Sequence, residues 1–100
     1  MKRLTIHEDA EAEVDEAVRF YEGRRPGLGK RLREDIEKTF TRIMRSPSIS
    51  VPIDDQGMRK VRLRRFPYTV YYVELDRVIW VAAVAHQKRR PGYWSQRGPS

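Results

Sequence analysis

The chain has 100 residues and carries 21 lysines and arginines against 14 acidic residues, a net charge of +7 at neutral pH. This length supports one hydrophobic core, so we expect a single domain over residues 1–100. The chain has no cysteine, which excludes disulfides, thiolate catalysis and zinc bound by cysteine. Its two histidines are far apart in the sequence, so we expect neither a transition-metal site nor any other cofactor.

Targeting and membrane-spanning signals are missing from the sequence. The amino-terminal residues M-K-R-L-T-I-H-E-D lack the apolar stretch of a signal peptide. The longest apolar run covers about eight residues at 78–85, whereas crossing a bilayer takes roughly 20. We therefore expect a cytoplasmic protein with no membrane partner.

Charge is distributed unevenly along the chain. Residues 8–22 hold seven acidic side chains and one arginine, whereas residues 59–100 hold ten basic side chains and two acidic ones. Such polarity predicts a molecule with two different faces, one of which suits a polyanion.

The first elements are a strand and a helix. Leu4 and Ile6 alternate with polar residues, which is the period of a short strand. Helical spacing then predicts a helix that His7 or Asp9 caps and that ends at Gly23 and the R-R-P-G sequence after it. Its acidic residues are expected to form a solvated face. The apolar stripe consists of Ala10, Val14, Ala17, Val18 and Tyr21.

A second helix is predicted from about Leu28 to Arg45, because apolar residues recur there at helical spacing until Ser46-Pro47. The short connection makes the two helices an αα-hairpin. Residues 48–58 have no clean period and contain Pro52 and D-D-Q-G, so they read as a loop.

Three strands follow. From Arg59 the period is two, which places Val61 and Leu63 on one side and the cations Lys60, Arg62 and Arg64 on the other. A second strand at 68–75 and a turn at 74–77 lead to residues 78–85, apolar on both faces and therefore a buried central strand. About 86–100 is a short helix or tail. The order β-α-α-β-β-β predicts an α+β fold, with both helices on one face of a mostly antiparallel sheet.

Several segments together resemble a known family. They are F-Y-E at 20–22, R-P-G-L-G at 25–29, R-x-x-R-L-R-R-F-P-Y-x-V-Y-Y at 59–72 and V-A-H-Q-x-R-R-P-G-Y-W at 84–94. In this order they resemble the RelE/ParE superfamily of bacterial type II toxin–antitoxin toxins. The resemblance implies a toxin that arrests growth once it is released from a cognate antitoxin. RelE-like members cut messenger RNA on the ribosome without a metal, whereas ParE-like members inhibit DNA gyrase.

RNA cleavage by its own 2′-hydroxyl needs a base, an acid and cations around one phosphate. On the positions that match the nuclease branch, we expect Arg62, His86 and Tyr93 to be catalytic. His86 is the acid–base candidate because its ordinary pKa lies near neutrality. The cations expected to bind nucleic acid are Lys60, Arg64, Arg65, Arg89 and Arg90.

Two of the expected catalytic residues, His86 and Arg62, also have a structural explanation. His86 equally fits a structural histidine bonded to backbone, and Arg62 equally fits a cation on a solvated sheet face. Trp94 is expected to pin the tail to the body.

The tail bears on the choice between the two branches. Pro91-Gly92 lies where the RelE pattern has a catalytic aromatic residue, and this departure favours the ParE alternative. The ribosome with mRNA, or instead gyrase, is the expected target. A third hypothesis is a basic module that binds nucleic acid without chemistry.

Overall fold

A computed structural model describes residues 2–90 and 92–98, which contain two helices and four strands. The order β-α-α-β-β-β confirms the prediction. No helix among these residues has the length and apolar character to span a membrane. The elements are β1 (Arg3–Ile6), α1 (Glu8–Arg24), α2 (Leu28–Arg45), β2 (Met58–Arg62), β3 (Tyr68–Glu74) and β4 (Val78–His86).

The sheet has the strand order β1-β4-β3-β2. β1 runs parallel to β4, and the other two pairs are antiparallel. β4 is an inner strand and is buried from Ile79 to Ala85. This confirms both the α+β class and the buried central strand predicted from the apolar run, because a strand covered on both faces needs no polar alternation.

The main core lies between the two helices and one face of the sheet. The helix stripes contribute Ala10, Val14, Ala17, Leu32, Ile36 and Ile43, and the sheet contributes Val61, Val70, Tyr72, Ile79, Val81 and Val84. Tyr72 is fully buried, and its hydroxyl donates to the Pro47 carbonyl over 2.7 Å. That bond ties the end of α2 to the middle of the sheet.

The structure shows which residue caps α1 and where this helix ends. His7 is the N-cap, and its Nδ1 accepts a hydrogen bond from the Asp9 amide at 3.0 Å. The helix continues through Gly23 and ends at Arg24, within the G-R-R-P-G segment that was predicted to end it. A glycine in an exposed last turn costs only about 1 kcal/mol relative to alanine, which packing on the sheet overcomes.

The R-P-G-L-G segment forms the bend of the helical hairpin. Gly27 has φ of 88°, a left-handed conformation that glycine adopts without strain. The Glu22 carboxylate accepts the Gly27 amide at 2.9 Å and the Gly29 amide at 3.0 Å, which places negative charge at the start of α2. A Cβ on Gly29 would lie 2.5 Å from the Val18 carbonyl, so the helices approach closely here.

The opposite face of the sheet carries a smaller apolar cluster. The Trp94 ring stacks on Tyr71 with ring centroids 3.8 Å apart, which folds residues 92–96 back over the sheet as successive turns. Pairing between β3 and β4 skips Ala82, a bulge that leaves Ala82 and Ala83 on this same face.

Gly29→Ala is expected to lower the free energy of unfolding by about 1–3 kcal/mol, because the new methyl group meets the Val18 carbonyl. Gly23→Ala is the matched control: it also lies in a helix but has nothing within 4 Å, so it should raise stability by up to about 1 kcal/mol. Urea unfolding of both variants measures the contrast. Equal effects would contradict the close approach of the helices.

Candidate functional site

The outer edge of β4 is open along its carboxyl-terminal half. β1 ends at Ile6, whose register partner is Val81, and the chain then turns into α1. Glu13 lies on α1 over this open edge, and its Oε1 accepts the Val84 amide at 3.0 Å. A buried amide without a partner costs about 1–3 kcal/mol, so this carboxylate takes the place of a missing strand.

The carboxyl-terminal tail completes the same cluster. The Tyr93 hydroxyl donates to Glu13 Oε2 at 2.7 Å, and Arg97 Nη2 donates to that oxygen at 3.0 Å. Arg97 Nη1 donates to the carbonyl of Ala82, the bulge residue, at 2.8 Å. We call Glu13, Tyr93 and Arg97 the edge cluster. Its two charged side chains are only 15% and 14% exposed, so the pair is largely shielded from water.

The edge cluster corrects one expectation from the sequence. The acidic residues of the first helix were expected to be a solvated face, which is wrong for Glu13. Glu13 follows Ala10 by three positions and precedes Ala17 by four, so it lies on the buried stripe of α1. That spacing was the available signal. Arg97 had none, because a lone arginine in a polar tail looks like any surface cation.

The two hydrogen-bond donors of the edge cluster, Tyr93 and Arg97, both have raised pKa values. Burial, reinforced by the hydrogen bond to Glu13, raises the pKa of the Tyr93 hydroxyl. Burial lowers the pKa of Arg97, but the Glu13 bond and charge outweigh it, so that pKa is raised overall. Arg89 also covers the Tyr93 ring, 4.0 Å from its centroid. Tyr93 therefore stays protonated at neutral pH.

A hollow of about 360 Å³ opens between α1, the end of β4 and the tail. His86 lies in it, packed edge-on against Tyr68 with ring centroids 5.2 Å apart. His86 Nδ1 accepts the Lys88 amide at 3.1 Å, so the ring is partly fixed by backbone. Most of the lining is aromatic or charged: Glu13, Glu16, Phe20, Tyr21, Tyr68, His86, Arg89 and Tyr93.

Arg62 lies on the other side of the sheet. Its register partner is Thr69, next to Tyr68, and adjacent strand residues face opposite ways. Tyr68 pairs with His86, so Arg62 and His86 lie on opposite faces. Arg62 Nη2 donates to Gln87 Oε1 at 2.8 Å, just beyond the end of β4. Of the three residues expected to be catalytic, the structure thus brings His86 and Tyr93 to one hollow and places Arg62 apart from them.

The expected binding cations are also dispersed. Lys60 shares the Arg62 side of β2 and is exposed. The expectation that Arg64 continues this row is wrong, because β2 ends at Arg62 and the chain then bends. Arg64 and Arg65 instead line a second hollow beside α2. Arg90 is exposed beyond β4.

Comparison with known proteins agrees with this fold. Residues 4–91 match the family described as ParE toxin of type II toxin-antitoxin system, parDE. A solved structure described as "Chromosomal ParDE TA system from P. aeruginosa" is 17% identical, with a TM-score of 0.75, covering 86% of this chain and 96% of that one. No curated protein matches.

The family match places the chain among the toxins of the RelE/ParE superfamily, as the sequence segments predicted, and the fold agrees with it. Within it, the chain belongs to the ParE toxin family, since the match to that family spans most of the chain. The structural similarity at 17% identity supports the fold.

Tyr93→Phe should lower the free energy of unfolding by about 1–3 kcal/mol, because it removes a donor to a shielded carboxylate. Tyr71→Phe is the control, since the Tyr71 ring stacks on Trp94 while its hydroxyl bonds to no described residue. Its effect should stay within about 0.5 kcal/mol. Urea denaturation that ranks the two variants equally would contradict the edge cluster.

Stability should fall as pH rises from about 10 to about 12. Burial raises the pKa of Tyr68 to about 12, whereas tyrosines in the unfolded chain keep a pKa near 10. In this window the folded protein retains a proton that the unfolded chain releases, so rising pH favours unfolding. Urea midpoints at several alkaline pH values measure the decline, and Tyr68→Phe should make it shallower. A flat profile would contradict this assignment.

Proposed function

We propose that this protein is the toxin of a type II toxin–antitoxin module and that it arrests growth by inhibiting DNA gyrase without chemistry of its own. Membership of the ParE family supports the toxin role. The observation that favours this target is that Arg62 and His86 lie on opposite faces of the sheet, since Arg62 pairs with Thr69 whereas His86 pairs with Tyr68. An RNA-cleaving site needs these groups around a single phosphate.

The remaining groups in the hollow are a poor set for RNA cleavage. Tyr93 has a raised pKa and its hydroxyl donates a hydrogen bond to Glu13, so it is a weak acid and is not available as a base. Glu13 accepts from three donors that engage both of its oxygens, and its charge is paired with Arg97, so it is not available as a base either. Only His86, as a proton-transfer group, and Arg89, as a cation, are then left in the hollow for catalysis. A surface that binds a protein target does not need an acid, a base and cations around one point.

The partner in this proposal is a cognate antitoxin. Phe20 is 54% exposed on α1 beside the hollow, and an exposed aromatic ring is a typical anchor for a partner segment. The antitoxin segment is expected to cover the helical hairpin or the arginine-bearing side of the sheet. The exposed Phe20 favours the helical hairpin as the binding surface. The positive charge of the chain favours an acidic or amphipathic antitoxin segment.

In a supercoiling assay, the purified protein should inhibit gyrase, and His86→Ala and Arg62→Ala should inhibit to within about twofold of the parent. Programmed ribosomes incubated with the same protein should yield no new mRNA ends. Co-purified antitoxin should abolish the inhibition. Full gyrase activity at excess toxin, together with mRNA cleavage that His86→Ala removes, would refute the proposal and establish the nuclease alternative.

A further inference from the structure

A cationic groove runs along the carboxyl-terminal half of α2. Asp35, Lys38, Thr39, Arg42 and Arg45 recur at helical spacing and share one face of the helix. The bend after β2 lies opposite and contributes two more cations. The resulting groove encloses about 570 Å³, and we call it the arginine groove; its five cations are Lys38, Arg42, Arg45, Arg64 and Arg65.

Two contacts attach the bend to the helix. The Asp35 side chain, on a residue only 6% exposed, accepts the Arg65 amide at 2.9 Å. Arg42 Nη2 donates to the Arg62 carbonyl at 3.1 Å. The Asp35 carboxylate is therefore engaged by a backbone amide. Within residues 2–90 and 92–98, no ion pair neutralises any of the five cations of the arginine groove.

Structural needs account for only part of this charge. Arg42 and Arg45 lie in the last turn of α2, where cations favour the negative end of the helix dipole. Lys38, Arg64 and Arg65 have no such role, and placing them beside two other cations costs electrostatic repulsion. A site that gathers unpaired like charges at this cost is suited to an anion.

The lining of the groove identifies the kind of anion. It consists of charged and hydroxyl side chains, with no aliphatic or aromatic residue among them, and its five cations outnumber the two carboxylates, Asp35 and Glu37. Protein partners usually need an apolar centre, and single-stranded nucleic acid needs aromatic rings for stacking. The phosphate backbone of a duplex presents negative charge and needs neither an apolar centre nor aromatic rings, so it matches this lining. From Lys38 to Arg45 the helix rises about 10 Å, which reaches about two neighbouring phosphates of one strand.

We propose that the arginine groove binds the phosphate backbone of duplex nucleic acid, without reading its sequence. This activity is separate from the proposed gyrase inhibition and does not rest on it. The contacts are ionic and need no covalent step. Arg45 and Arg64 are placed to clamp phosphates from the helix side and from the bend side of the groove.

Fluorescence anisotropy with a labelled 20-base-pair DNA duplex of arbitrary sequence tests the proposal. The double variant Arg45→Glu/Arg64→Glu should bind at least tenfold more weakly, with a salt slope smaller by about two. The control Arg19→Glu/Arg77→Glu makes the same change in net charge at exposed sites outside the groove and should weaken binding less than threefold.

Other outcomes would overturn the proposal. Equal weakening by both double variants would mean that net charge alone attracts DNA. Tighter binding of a polyglutamate peptide than of the duplex would make the groove an acidic-peptide site. Should the glutamate variant fail to fold by circular dichroism, Arg45→Gln/Arg64→Gln gives the same comparison without charge reversal, and unchanged affinity there would also refute it. The duplex assay contains no gyrase, so its outcome is independent of the supercoiling result.

Discussion

The carboxylate of Glu13 on the open edge of β4 is the contact on which the arrangement of this toxin depends. β1 stops at Ile6, so the inner strand continues without a neighbour on that side. Glu13 bonds the Val84 amide and also draws in Tyr93 and Arg97 from the tail. A shielded carboxylate is stable only when donors surround it, so helix, strand and tail require one another.

That dependence shapes the functional surface. By fixing the tail, the edge cluster gives the hollow beside His86 one of its walls and keeps the Tyr93 hydroxyl hydrogen-bonded to a structural carboxylate. Arg62 lies on the opposite face of the sheet from His86. Groups that a nuclease would bring together are thus used for folding or lie apart, which supports a toxin that acts by binding. The arginine groove, along the carboxyl-terminal half of α2, is a separate electrostatic surface.

Periodicity predicted the elements well, because burial on one face imposes a regular pattern. α2 was predicted with its observed limits, and β4 was recognised from its unbroken apolar run. The candidate site was predicted less well. Alternation cannot tell where a strand ends, so Arg64 was assigned to a row that stops at Arg62. Glu13 and Arg97 are 84 residues apart, and their pairing depends on a strand edge that becomes visible only in three dimensions.

Hydrogen exchange at the Val84 amide tests the role of Glu13 most directly, with the Ile79 amide in the paired part of β4 as reference. The Val84 amide should exchange as slowly as its paired neighbours in the parent protein, and Glu13→Ala should accelerate it at least tenfold while the Ile79 amide changes far less. Fast exchange at Val84 in the parent protein, or no response to Glu13→Ala, would show that the edge of β4 does not depend on this carboxylate.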